Sequence, residues 1–232
     1  VSGLRRSTQN KVEITNRVIA KISRAEVASK FMAPAPEAML NKLLEEKSIT
    51  REQAQLAAAV PMADDITVEA DSGGHTDNRP LVSLLPAITA LREQFQEQYG
   101  YSHTIRVGAA GGIGTPASAL AAFMMGAAYV VTGSVNQACV EAAASEHSKG
   151  LLAQAEMADV IMAPAADMFE MGVELQVLKR GTLFPMRAKK LYELYKNYES
   201  IEDIPLQERQ KLEQQVFRNS LEEIWCQTKE HF

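Results

Sequence analysis

Residues 104–134, TIRVGAAGGIGTPASALAAFMMGAAYVVTGS, run twice from a short apolar segment into a glycine loop, with one helical segment between. Two strands joined through a helix lie parallel, because the crossover returns the chain to the end of the sheet where the first strand began. The same alternation extends upstream. NRVIAKIS (16–23) and DITVEAD (65–71) read as buried strands, and PLVSLLPAITALREQFQEQYG (80–100) as an amphipathic helix closed by Gly100. Between those two strands, PEAMLNKLLEEKSITREQAQLAAAV (36–60) places Met39, Leu40, Leu43 and Leu44 at helical spacing, and Thr50 with Gln53 forms a capping-box pattern. That segment is predicted to be a helical hairpin inserted between strands. The whole pattern predicts an α/β fold with a parallel sheet covered by helices.

Downstream of Ser134 the strand signal fades. The pattern predicts a helix over 136–145, loops over 150–185 and helices over MRAKKLYELYKNY (186–198) and PLQERQKLEQQVFRNSLEEIWCQT (205–228). The last places Leu212, Val216, Leu221, Ile224 and Trp225 on one face, as a packing helix does. Residues 1–150 are therefore expected to form the α/β domain, and 151–232 a helical C-terminal extension. Four strands are half of what a closed (β/α)₈ barrel requires. A barrel containing this chain would have it as about the C-terminal half.

Composition narrows the function classes. The net charge of -5, without a Lys/Arg stripe interleaved with aromatics, gives no footprint for nucleic acid or for an anionic membrane. Ala117–Val131, the longest apolar run, is interrupted by Gly126 and is too short for a membrane span. Cys139 and Cys226 stand apart without a CxxC or Cys/His grouping, so neither a zinc site nor a disulfide framework is expected. A reducing, cytoplasmic compartment fits that usage. The chain opens on Val1 and its first residues carry no signal-peptide pattern.

Three stretches carry the chemistry. AAGGIGTPAS sets Gly111, Gly112 and Gly114 after a strand, with Thr115 as a candidate N-cap and Pro116 at the first helical position. Such a loop presents backbone N–H groups at a helix start and suits a phosphate. Its spacing is not GxGxxG, which weakens a dinucleotide-fold reading. TGSVNQ repeats the arrangement with Gly133 and Ser134 after the next strand, as in the phosphate site that barrels build after their seventh and eighth strands. EADSGGHTDNRP (69–80) sets Gly73, Gly74 and His75 among Glu69, Asp71 and Asp77. A tight turn needs no histidine, whereas imidazole titrates near neutral pH and can transfer a proton. Asp71 or Asp77 could orient the ring, and a single histidine is too few for a metal site. Lys21 stands near the end of its strand, where a cation can face a ligand or simply lie at the rim. Lys179 and Arg180 could meet a phosphate or form a solvated pair. His103, His147 and His231 receive no role.

EADSGGHTDNRP, RVGAAGGIGTPASALAAFMMGAAYVVTGSVNQACVEA and VLKRGTLFPMRAKKLYELY together resemble the PfaD-like trans-acting enoyl reductases of polyketide and polyunsaturated fatty acid synthesis. These belong to the nitronate monooxygenase (2-nitropropane dioxygenase) superfamily of FMN barrels. The resemblance covers almost the whole chain and implies a (β/α)₈ TIM barrel with NRVIAKIS as its fifth strand. It implies FMN as cofactor, its phosphate held by Gly111, Gly112, Gly133 and Ser134. Gly73 and Gly74 would pass close to the flavin, His75 would be catalytic, and Lys21 would lie near the ring. It further implies NADPH as reductant, an acyl carrier protein and its synthase as partners, and a homo-oligomer. A nitronate-type flavin oxidase, or a non-catalytic barrel that docks carrier protein, are the rival expectations.

Overall fold

The computed structural model describes residues 1–231 and opens with an antiparallel hairpin, β1 (Leu4–Arg6) against β2 (Val12–Ile14), turned at Asn10 in the left-handed region with φ 58°. Next come β3 (Ile19–Ile22), α1 (Ala25–Met32), α2 (Glu37–Glu45), α3 (Arg51–Ala57) and β4 (Asp65–Glu69). These are followed by α4 (Leu81–Tyr99), β5 (Arg106–Ala110), α5 (Pro116–Met124), β6 (Val130–Val131), α6 (Ser134–Gln137) and α7 (Glu146–Ala153). Val1–Ala153 form one unit, and a second begins at Gln154.

The four strands read from the sequence make one parallel sheet in the order β3-β4-β5-β6. Ile19 stands opposite Asp65, Asp65 opposite Arg106, and Ala109 opposite Val130. Alternation along each strand sorts the side chains between two faces. Ala20, Ile22, Ile66, Val68, Val107 and Ala109 are buried in one core with Met32 of α1, Leu85 and Ile88 of α4 and Ala122 of α5. Each fully buried Ile, Leu or Met there contributes about 1.5–3 kcal/mol of hydrophobic stabilisation. The other face is polar: Lys21 pairs with Glu69, Asp65 with Arg106, and the hydroxyls of Thr67 and Tyr129 share a hydrogen bond of 2.9 Å. Gly108 is required on that face, because a Cβ there would collide with the Tyr129 ring.

Caps fix the element ends. Gln53 N–H donates to Thr50 Oγ1 at 3.2 Å and Thr50 N–H to Gln53 Oε1 at 2.9 Å, the capping box expected for α3. Gly100 ends α4 in the left-handed conformation. The α2–α3 hairpin packs Leu40, Leu56 and Val60 with Leu4 of β1 in a small core of its own.

The second unit departs from expectation. Instead of loops over 150–185 it contains an antiparallel hairpin, β7 (Val160–Pro164) against β8 (Glu174–Leu178), so the C-terminal extension is mixed rather than helical throughout. VIMAP and ELQVL are strand-length apolar runs without the turn residues of a tight hairpin between them, which hid the pairing. After α8 (Phe184–Asn197) and α9 (Leu206–Lys211) come a π-helical turn (Leu212–Phe217) and α10 (Leu221–His231). The single helix expected over 205–228 is thus broken at Arg218, which has φ 56°. Ser220 Oγ then accepts from Glu223 N–H and starts α10 afresh. The helix expected over 136–145 stops at Gln137; beyond it the Val140 side chain is 88% exposed, so it gives a continuing helix no apolar contact. Leu194, Ile204 and Leu212 are buried in this unit, beside a cavity of about 890 Å³ lined by Phe169, Leu183, Leu191, Tyr195 and Phe217. Among the described residues no helix is long and apolar enough to cross a membrane.

Candidate functional site

Parallel strands bring their C-terminal ends to one edge, so the four segments that follow β3 to β6 are neighbours whatever their distance in sequence. Ser23 and Arg24 follow β3, Ala70 to Pro80 follow β4, Gly111 to Thr115 follow β5, and Thr132 to Ser134 follow β6. Ala70 N–H donates to Ala110 O at 2.9 Å and extends the β4–β5 ladder into the loops. Gly111 then turns at φ 91°, and a Cβ there would lie 2.6 Å from Ala70 O and 2.8 Å from Asp71 O. Only glycine fits so close a backbone crossing. Gly112, at φ 69°, continues the left-handed turn.

The β4 loop also reaches the β6 loop, since a Cβ on Gly73 would stand 3.8 Å from Ser134 Oγ. Around Gly114 and Gly133 nothing lies within 4 Å of the Cβ position, so the space beside those backbones is open. The N-terminus of α5 is itself largely satisfied: Thr115 and Ser118 form a capping box and Pro116 has no N–H. Donors available to an anion are therefore loop N–H groups and the Ser134 hydroxyl rather than the first turn of α5. Open space and backbone donors after two successive strands fit a phosphate group.

His75 is exposed on the β4 loop, directly after Gly74 at φ 90°. The loop is closed by Asp71 N–H donating to Arg79 O at 2.8 Å, and Asn78, in the left-handed region, donates its N–H to Thr76 Oγ1 at 3.1 Å. The Asp77 carboxylate is bound from the segment after β3. Both its oxygens are engaged by Arg24, Nε to Oδ2 at 2.9 Å and Nη2 to Oδ1 at 3.0 Å, and Ser23 Oγ donates to Oδ2. The Arg24 guanidinium, with the Ser23 hydroxyl, holds the Asp77 carboxyl down to about 2. Ser23 and Arg24 escaped sequence reading, although their place immediately after β3 is the strand-end position that barrels use for chemistry.

Lys21 lies on the polar face of the sheet with its ammonium 3.0 Å from Glu69 Oε1, to which Ser72 Oγ also points at 3.4 Å. A cation already paired contributes less charge to a bound anion than a free one. In the second unit Arg180 reaches Asp159 at 3.3 Å and Gln154 O at 3.1 Å, closing the ends of the hairpin. Among the described residues no group of three or more His, Cys, Asp or Glu is placed to hold a metal ion.

The enoyl reductase domain of MlnA, from the macrolactin biosynthesis cluster of Bacillus amyloliquefaciens, superimposes with a TM-score of 0.91 at 41% identity, covering 98% of this chain and 51% of that one. This chain is similar to an enoyl reductase domain. It is also 53% identical to the polyketide biosynthesis protein PksE of Bacillus subtilis over 99% of its length, which is 30% of PksE. A polyunsaturated fatty acid synthase polypeptide of Thraustochytrium is 51% identical over the whole chain, which is 16% of that polypeptide. The chain thus spans less than a third of the curated relatives it matches. Residues 198–232 match the family model of the inserted helical domain of [acyl-carrier-protein] S-malonyltransferase.

Proposed function

We propose that this chain is the C-terminal half of a (β/α)₈ barrel that acts as an FMN-dependent enoyl reductase, working in trans on enoyl thioesters carried by an acyl carrier protein. The observation that carries the reading is the meeting of the GGH loop with the Gly111 and Ser134 loops at the C-terminal edge of a parallel sheet, in a chain 41% identical to an enoyl reductase domain. The relatives named as synthase components and the malonyltransferase-like helical segment support a synthase setting with a carrier protein.

FMN, reduced by NADPH, would supply the hydride for the β carbon of the enoyl group. The chain supplies the rest. Backbone N–H groups of Gly112 and its neighbours, with those of Gly133 and Ser134 and the Ser134 hydroxyl, would bind the phosphate. Gly73 and Gly74 let the β4 loop lie against a planar ring without a Cβ between them. His75 would hold a proton near the thioester, polarising its carbonyl and then delivering the proton to the α carbon. Lys21, balanced by Glu69, keeps the sheet face beside the ring polar without excess charge.

The test is an anaerobic absorbance experiment on protein that also carries the first four βα units. Flavin peaks that bleach on NADPH and recover on an enoyl thioester are the expected result, with His75→Ala slowing recovery about 10²–10⁴-fold. Oxygen consumption with nitroalkanes and none of NADPH would replace this reading with an oxidase. Folded protein that takes up no FMN would leave a docking role.

A further inference from the structure

The loop that carries His75 is joined by side chains to the segment that follows β3. Asp77, two residues beyond the histidine, accepts both forks of Arg24 at 2.9 and 3.0 Å and the hydroxyl of Ser23 as well. Arg24 is the N-cap residue of α1, in an extended conformation and without a side-chain capping bond, so its guanidinium is available to reach across to the β4 loop. A planar guanidinium that grips a carboxylate through two parallel bonds fixes orientation as well as distance, which a lysine cannot do. Gly73 and Gly74 contribute no side chains to the loop, Asn78 sits in the left-handed region, and Thr76 and Asn78 bond to Asp71 and Thr76 within it.

We propose that Asp77, Arg24 and Ser23 form a clamp that positions His75 for proton delivery to the substrate. This rests on the enoyl reductase reading, with His75 as the catalytic residue and the three clamp residues as positioning residues. Held near 2, the Asp77 carboxyl stays ionised at every pH where the reaction would run, so it holds the loop and exchanges no proton with the histidine. Arg79 adds a weaker attraction to the same carboxylate. The clamp also spans strands that are neighbours in the sheet, so a shift of β3 relative to β4 would move the imidazole.

The experiment uses protein with both barrel halves and FMN bound, and compares wild type, Asp77→Asn, Arg24→Ala, Arg24→Lys and His75→Ala with the double variant His75→Ala/Asp77→Asn. Asp77→Asn and Arg24→Ala should lower kcat for enoyl reduction about 10- to 100-fold while FMN content and the rate of flavin reduction by NADPH stay unchanged. Arg24→Lys should restore only part of the loss. In the His75→Ala background Asp77→Asn should cost less than about twofold more, because the residue it positions is gone. A second readout needs no turnover: amide hydrogen exchange across 71–79 should quicken in Asp77→Asn, and the His75 imidazole NMR signal should move. Unchanged exchange and an unmoved signal would overturn the clamp, as would losses that simply add in the double variant. Wild-type protein that reduces no enoyl thioester would sink the function reading instead, and the exchange and NMR comparison would still decide the clamp.

Discussion

Gly111 and Gly133 follow successive strands, yet substitution should separate their roles. At Gly111 an alanine meets two carbonyl oxygens of the neighbouring loop and must adopt φ 91°, so Gly111→Ala is expected to cost about 2 kcal/mol or more, read as a fall in thermal midpoint. Gly133 has φ −112° and open space beside it, so Gly133→Ala should cost about 1 kcal/mol or less while weakening FMN binding in a fluorescence titration. Equal losses of stability at the two positions would contradict this division. The placement of the glycines and His75 on loops after strands was legible because glycines follow the apolar runs. Arg24 was not: an arginine after a strand looks like any surface cation until its carboxylate partner, 53 residues further along, is placed beside it. Lys21 was legible as a position, but its pairing with Glu69 was not, because parallel register decides that contact.

At the scale of elements, the capping box that starts α3 predicts that Thr50→Ala removes about 1 kcal/mol, with faster amide exchange confined to the α2–α3 hairpin. In the second unit, Glu208 of α9 pairs with Lys190 of α8 at 2.6 Å and with Lys211 of its own helix at 2.8 Å, and these ammonium groups hold its carboxyl down to about 2. An unfolded glutamate titrates near 4.3. The stabilisation is therefore present above that pH and is lost as pH falls through it towards 2. Wild type should melt higher than Glu208→Gln at pH 7, and the two should converge by pH 2, with high salt narrowing the gap. Elements with strong punctuation were readable: the Thr50 and Thr115 caps and the Gly100 stop lie where the sequence put them. β7 and β8 were not, because their pairing is a long-range contact between runs that lack a turn signature. The break at Arg218 did have a local signal, Ser220 followed three residues later by Glu223, which the continuous apolar stripe masked.

For the molecule as a whole, the parallel sheet ends at β3 on one side and β6 on the other, and the face away from α1, α4 and α5 carries Lys21, Glu69, Arg106 and Ile19, the last 62% exposed. Open edges and an uncovered face are managed in a barrel by closure. Expressed alone, the chain is expected to self-associate in sedimentation experiments, and addition of four βα units ahead of β3 should yield a discrete, flavin-binding species. The sheet order was legible because each crossover is a helix and sequential strands tend to be neighbours. The parallel order also sets a timetable during synthesis. Val18 N–H bonds to Asp64, 46 residues downstream, so at roughly 5–20 residues per second β3 leaves the ribosome about 2–9 s before its partner strand exists. Throughout that interval Ala20 and Ile22 lack the β4 side chains, Ile66 and Val68, that share their core in the folded sheet.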